Sequence, residues 1–443
     1  MTDGAASVAQ FYSNHTPKNH PDDNNGNSSD RIIDLLKGFK NDELEKFFRL
    51  DETVRWIVEN GYKRVALQLP DNFLPRAYHI AKFIESKADV KTFVLADTSY
   101  RSCCVDEVAA SHASCDAIIH YGDACLSALT ENIPVKFVFG SFPVNLSGFE
   151  EVESYLNASD DIDVLLLTDA CYSNNLDGLG KIAEKYIRSG RLFRAVVVDP
   201  SDKNACSSEE NLILNLGRLL DPEFCKAFSV LVCFVGDPAS PLIPLWLMTY
   251  PQCSSLLIFD PQTSTFGKHK LQSLRQLRKR LFLIEKLRDA STVGLVVGSV
   301  GVRGHIEAVQ RMRKLCKAAG KRLYVISVGK VNVPKLSNFA DIDAFVLLSC
   351  PFGVILDSSD FFRPVLSMFE AEMALNSAKS WDGYHEWSAD FTTFANGDYL
   401  KHRTWRGLDA EVRLDESTKV ELGRTGTAMG YDTEPAGRGD SCN

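Results

Sequence analysis

Short apolar runs separated by stretches of helical spacing recur along this chain, and no other feature restricts its fold as much. Runs at 64–69, 90–96, 117–120 and 135–139 alternate with helical segments at 73–86 and 105–113. Runs this short, apolar on both faces and set between helices, suit the buried strands of a parallel sheet. The alternation therefore predicts an α/β layered fold. It continues with strands at 164–168, 195–198, 230–235 and 256–259 and a helix at 176–188. An apolar stretch at 242–248 and a long basic helix at 268–289 belong to the same round. A third round comprises strands at 293–297, 323–328 and 344–348, with helical segments at 304–319 and 333–339. Rounds of about 110 to 130 residues predict three related α/β domains with mostly parallel sheets. The expected boundaries are 31–142, 143–290 and 291–396. Residues 1–30, rich in Asn, Ser, Asp and Gly, are expected to be a disordered tail, and 397–443 a mostly irregular one. Residues 31–60 show helical spacing ahead of the first strand.

Charge and hydropathy exclude some classes of function. A net charge of -9 provides no global basic field for nucleic acid. The first 30 residues have no apolar segment of the kind that directs export, and no apolar run reaches about 18 residues. A cytoplasmic protein without a membrane span is expected. No P-loop or nucleophile-elbow motif is present. Gly298, Gly301 and Gly304 stand between a strand and a helix, where a tight turn is the first expectation. A nucleotide-dependent enzyme using these glycines is the alternative. The basic helix at 268–289 is expected to be a solvated face or a protein contact. His112 is expected on a helix surface and His120 at a strand end.

Twelve cysteines remain to be explained. Without export signals, metal or redox roles are favoured over disulfides. Cys103 and Cys104 follow the run at 90–96, Cys125 follows 117–120, and Cys350 follows 344–348. Carboxyl ends of parallel strands share one edge, where ligands bind. Cys104, Cys125 and Cys350 are therefore candidates to meet on a metal. Zinc sites usually show close C-x2-C pairs, and none occurs here. Three thiolates without an obvious fourth ligand fit a [4Fe–4S] cluster with one iron open. The adjacent Cys103 and Cys104 are not expected both to point at one small cluster. Cys171 and Cys206 are further candidates from the second round. Cys115, Cys225, Cys233 and Cys316 are expected as small buried hydrophobes, and Cys253 and Cys442 have no assigned role.

Several blocks carry a resemblance. QLPDNFL at 68–74, LADTSYRSCCVDEVAA at 95–110 and IHYGDACLS at 119–127 resemble the diphthamide-synthesis radical enzyme family. AGKRLYVISVGKVNVPKLSNFADIDAFVLLSCPFG at 319–353, WRGL at 405–408 and GRTG at 423–426 extend it, over about residues 31–432. The resemblance implies three related α/β domains arranged around a central iron-sulfur site. It implies a complex that transfers the 3-amino-3-carboxypropyl group of S-adenosylmethionine to a histidine of translation elongation factor 2. This is the first step of diphthamide biosynthesis. Ordinary radical enzymes carry a C-x3-C-x2-C motif, which is missing here. Carried over, the family's cluster ligands fall on Cys104, in preference to Cys103, and on Cys125 and Cys350. The family's catalytic paralogue has a middle-domain G-x-x-L-G-C-T block, and this chain has none. The resemblance thus implies a heterodimer with that paralogue, diphthamide biosynthesis protein 1. The paralogue would bind S-adenosylmethionine and carry out the chemistry. This chain would support it by electron transfer from an electron donor protein, or by cluster maintenance. A non-redox scaffold that stabilises the paralogue is the alternative.

Overall fold

The computed structural model describes residues 36–395, except 37, 96–102, 123, 125, 127–131, 157–161, 199–211, 270–272, 299–303, 329–330, 355–360 and 384–386. Both expected tails lie outside the described residues. Two helices, Asn41–Phe47 and Leu50–Asn60, precede the first strand. The first sheet contains β1 (Arg64–Gln68), β2 (Lys91–Leu95), β3 (Ala117–Tyr121) and β4 (Val135–Val138). The second contains β5 (Asp163–Thr168) and β6 (Leu192–Arg194). The chain then detours through β7 (Val196–Val197), β8 (Ile213–Asn215) and β9 (Arg218–Leu220). It returns to the second sheet with β10 (Val230–Val235), β11 (Cys253–Asp260) and β12 (Thr265–His269). The third contains β13 (Thr292–Val297), β14 (Arg322–Ser327), β15 (Ala344–Leu348) and β16 (Val365–Leu366).

The same path is traced three times. Strand orders are β2-β1-β3-β4, β12-β11-β10-β5-β6 and β14-β13-β15-β16. In each sheet the first strand is central, the second lies on one side of it, and the third and fourth extend the other side. Every pairing within this shared order is parallel. Sequence chemistry repeats with it. Asp116, just before β3, accepts the backbone N–H groups of Lys63 and Arg64 at 2.9 Å each. Asp343, just before β15, accepts those of Ser291 and Thr292 at 3.0 and 2.9 Å. Each carboxylate ties the start of a third strand to the start of a first strand.

Strand alternation divides the second sheet between two cores. Leu165, Leu167 and Phe234 pack with Val293 and Val346 of the third sheet, and with Cys104 and Cys350. Their neighbours Leu166 and Cys233 pack with Leu67 and Ile119 of the first. Successive side chains point to opposite faces, so apolar runs such as VLLLT at 164–168 face apolar surroundings on both sides.

Two expectations are corrected. The strand expected at 195–198 is divided: the parallel edge strand is β6, and β7 pairs antiparallel with β9. The helix expected at 268–289 is described over Ser273–Asp289, and Lys268 and His269 belong to β12, antiparallel to β11. The backbone groups of β11 would otherwise lack partners on that side, and pairing them outweighs helical spacing. No helix among the described residues is long and apolar enough to cross a membrane.

Candidate metal centre

Two cysteine-bearing turns meet above the sheet edges. The first follows β2 and leads into the helix Glu107–His112. Gln68, the last residue of β1, donates through Nε2 to the Cys104 carbonyl at 2.6 Å. Its Oε1 accepts the Asp106 N–H at 2.9 Å. Asp106 caps the helix by accepting the Ala109 N–H at 2.9 Å. The second turn follows β15, where Ser349 and Cys350 lead directly into the short helix Pro351–Val354. Proline suits this first position because its missing N–H needs no partner there.

The sulfur atoms of Cys103, Cys104 and Cys350 all lie within 4.8 Å of one another. Cys103 Sγ and Cys350 Sγ are 3.9 Å apart across 247 residues of sequence. Among the described residues this is the one cluster of three or more potential metal ligands. Cys350 is 0% exposed and Cys104 6% exposed, while Cys103 is half-buried. Three closely spaced thiols, two of them buried, form a soft donor set, suited to zinc or to an iron-sulfur cluster. The turn brings both adjacent cysteines towards Cys350, where the sequence argument anticipated one. Cys125 lies outside the described residues.

The remaining candidates stand elsewhere. Cys206 lies outside the described residues. Cys171 is half-buried in the 3-10 helix Ala170–Asn175 after β5 and packs with the core shared by the first and second sheets. It is not part of the three-thiol cluster. Cys115, Cys233 and Cys316 are buried, as expected of small hydrophobes. Burial pushes the thiols of Cys233 and Cys316 up to about 12, and neither belongs to the three-thiol cluster. Cys225 departs from expectation: it is exposed on the short helix Glu223–Lys226. His112 is exposed, whereas His120 is fully buried against Phe137. Gly304 has a φ of +80° at the start of the helix His305–Ala318, and Gly301 lies outside the described residues.

In the second sheet the loop that follows β10 carries no cysteine. After β10 the sequence GDPAS at 236–240 parallels GDAC at 122–125 after β3. Asp169, after β5, accepts the Asp237 N–H at 2.9 Å and the Ser240 hydroxyl at 2.7 Å. A Cβ on Gly236 would lie 2.2 Å from the Asp169 carboxylate, so glycine is required for that approach. Hydrogen bonds to Asp169 close this loop. Neither this lock nor the role of Gln68 has a signature in the sequence, since a glutamine at a strand end is unremarkable until its partners are known.

The chain matches known proteins over most of its length. The family model described as "Putative diphthamide synthesis protein" matches residues 69–387. A Caenorhabditis elegans protein named 2-(3-amino-3-carboxypropyl)histidine synthase subunit 2 is 42% identical, over 97% of this chain and 99% of its own. A Danio rerio protein of the same name is 35% identical, over 86% of this chain and 77% of its own. The crystal structure of Dph2 from Pyrococcus horikoshii with 4Fe-4S cluster superposes with a TM-score of 0.55 at 22% identity. It covers 76% of this chain and 94% of that one, so the fold is shared.

Proposed function

This chain belongs to the diphthamide synthesis protein family, and from that premise we propose that it is the iron-sulfur subunit of a 2-(3-amino-3-carboxypropyl)histidine synthase. The complex would transfer the 3-amino-3-carboxypropyl group of S-adenosylmethionine to a histidine of elongation factor 2. The name of the relatives, subunit 2, implies a second chain. In this reading the second chain is the paralogue, forms a cytoplasmic heterodimer with this one, binds S-adenosylmethionine and carries out the transfer.

The observation that carries the reading is the meeting of thiols from two distant turns within 4.8 Å. Cys104 and Cys350 would hold a [4Fe–4S] cluster, with Cys125 as the third ligand and Cys103 as the alternative to Cys104. When bound, such a group supplies an electron of low potential, and one electron entering a sulfonium weakens its C–S bond. The chain's own residues provide thiolate ligation and burial. Complete burial of Cys350 keeps water from its sulfur, and the Gln68 clamp holds the facing turn. An electron donor protein would restore the reduced state.

A second reading, a single zinc ion, is favoured by the 3.9 Å approach of Cys103 and Cys350. Thiolates sharing one tetrahedral zinc lie roughly 3.8 Å apart, given Zn–S bonds near 2.3 Å. Metal analysis after anaerobic co-expression with the paralogue separates the two. Roughly four iron atoms with matching acid-labile sulfide on this chain support the cluster. One zinc without sulfide supports the second reading, and absence of any metal leaves only the scaffold.

A further inference from the structure

We propose that Gln68 is a positioning residue of the metal centre: its side-chain amide fixes the turn bearing Cys103 and Cys104. The inference rests on the reading of that pocket as an iron-sulfur site. Gln68 is 1% exposed at the end of the central strand β1, which is held on one side by β2 and on the other by β3. The end of a central strand is a rigid anchor compared with a loop. A primary amide both donates and accepts from one planar, uncharged group. Gln68 thus engages the carbonyl of Cys104 at 2.6 Å and the N–H of Asp106 at 2.9 Å, and adds no charge beside the thiols.

The bracing continues past the turn. Glu107, 7% exposed, accepts the N–H groups of Asn132 and Ile133 at 2.9 Å each. The stretch that contains Cys125 ends at these two residues. Polar contacts therefore tie the end of β1 to the Cys104 turn, and the helix that follows this turn to Asn132 and Ile133. Buried polar groups must be paired to be tolerated, and the two Gln68 pairings anchor backbone at and next to Cys104. A ligand held at its working position before the metal arrives binds it more tightly than one that must be ordered.

Gln68→Glu and Gln68→Met are the informative variants. The first keeps the shape and the acceptor for Asp106 but loses the donor to Cys104; the second loses both. Each is produced anaerobically with the second subunit. The measurements are iron per chain, the rate of iron loss to a chelator, the EPR spectrum of the reduced protein and the melting temperature. The expected outcome is iron loss about tenfold faster, with an altered EPR line shape. A folded variant of either kind with wild-type chelation kinetics and EPR spectrum overturns the proposal. So does a lower melting temperature with an unchanged spectrum, because Gln68 is then only structural. Iron-free wild-type protein removes the reading of the pocket itself, whereas iron-loaded wild type beside indifferent variants removes the Gln68 proposal alone.

Discussion

A cysteine becomes a ligand or a bystander according to what surrounds its sulfur. Burial raises the pKa of Cys233 and Cys316, for Cys316 against a smaller opposing effect of the Lys321 charge, and neither belongs to the cluster of sulfurs. Cys104 and Cys350 are also buried, but each faces other sulfurs across the pocket. Cys104→Ala, Cys125→Ala and Cys350→Ala are each expected to lose iron in anaerobic metal analysis, and Cys103→Ala to retain it. Retention by Cys104→Ala with loss by Cys103→Ala reverses the assignment within the pair. Asp343 illustrates the same dependence for a carboxylate. The N–H groups of Thr292 and Ser291 hold its pKa below the usual carboxylate range, against a smaller opposing effect of burial. Its contribution to stability is therefore complete above the unfolded value, near about 4, and is lost as pH falls through the lower folded value. Asp343→Asn should flatten the acid limb of a stability-against-pH curve measured by denaturant titration. An unchanged acid limb counts against this account.

Among the elements, the helix Met368–Leu375 is the least like its sequence. All eight of its residues are buried, two glutamates included. Glu370 completes a capping box with Ser367 and accepts the Trp387 indole N–H at 2.8 Å. Arg280 reaches it at 3.9 Å. Glu372 is gripped by Arg311, with Nε at 3.1 Å, and accepts the Asn376 amide at 2.8 Å. These pairs join the helix to Ser273–Asp289 and His305–Ala318. A charge deprived of its buried partner is costly. Arg311→Met should lower unfolding free energy by about 3–5 kcal/mol in chemical denaturation. Adding Glu372→Met should recover most of that loss, because no buried charge of the pair is left; Lys379, 3.7 Å from Glu372, is 38% exposed and keeps its hydration. A double variant as unstable as the single one refutes the pairing argument.

On the scale of the whole molecule, three sheets share two cores, and the second sheet contributes a face to each. The pocket belongs to this arrangement, since Cys104 and Cys350 lie in the core that joins the second and third sheets. Redox and scaffold roles make different demands on it. A Cys104→Ser, Cys125→Ser, Cys350→Ser chain that folds and associates with its partner should abolish modification of elongation factor 2 if the cluster acts. Full modification, measured by mass spectrometry of the target histidine, would favour the scaffold.

Most of the strand and helix pattern was legible along the chain, because periods of 2 and 3.6 residues are local properties. The runs at 64–69, 164–168, 230–235 and 344–348 needed no tertiary knowledge, and neither did the family-like blocks around Cys104 and Cys350. The β12 strand, the buried Glu370 and Glu372, the Asp169 lock and the Gln68 clamp were not legible. Each depends on a partner supplied by another element. By itself the sequence determined a thrice-repeated α/β path and which cysteines follow its strands. Only the tertiary structure decided that Cys103 and Cys104 both face Cys350, because contact across 247 residues is set by how sheets pack and not by any pattern along the chain.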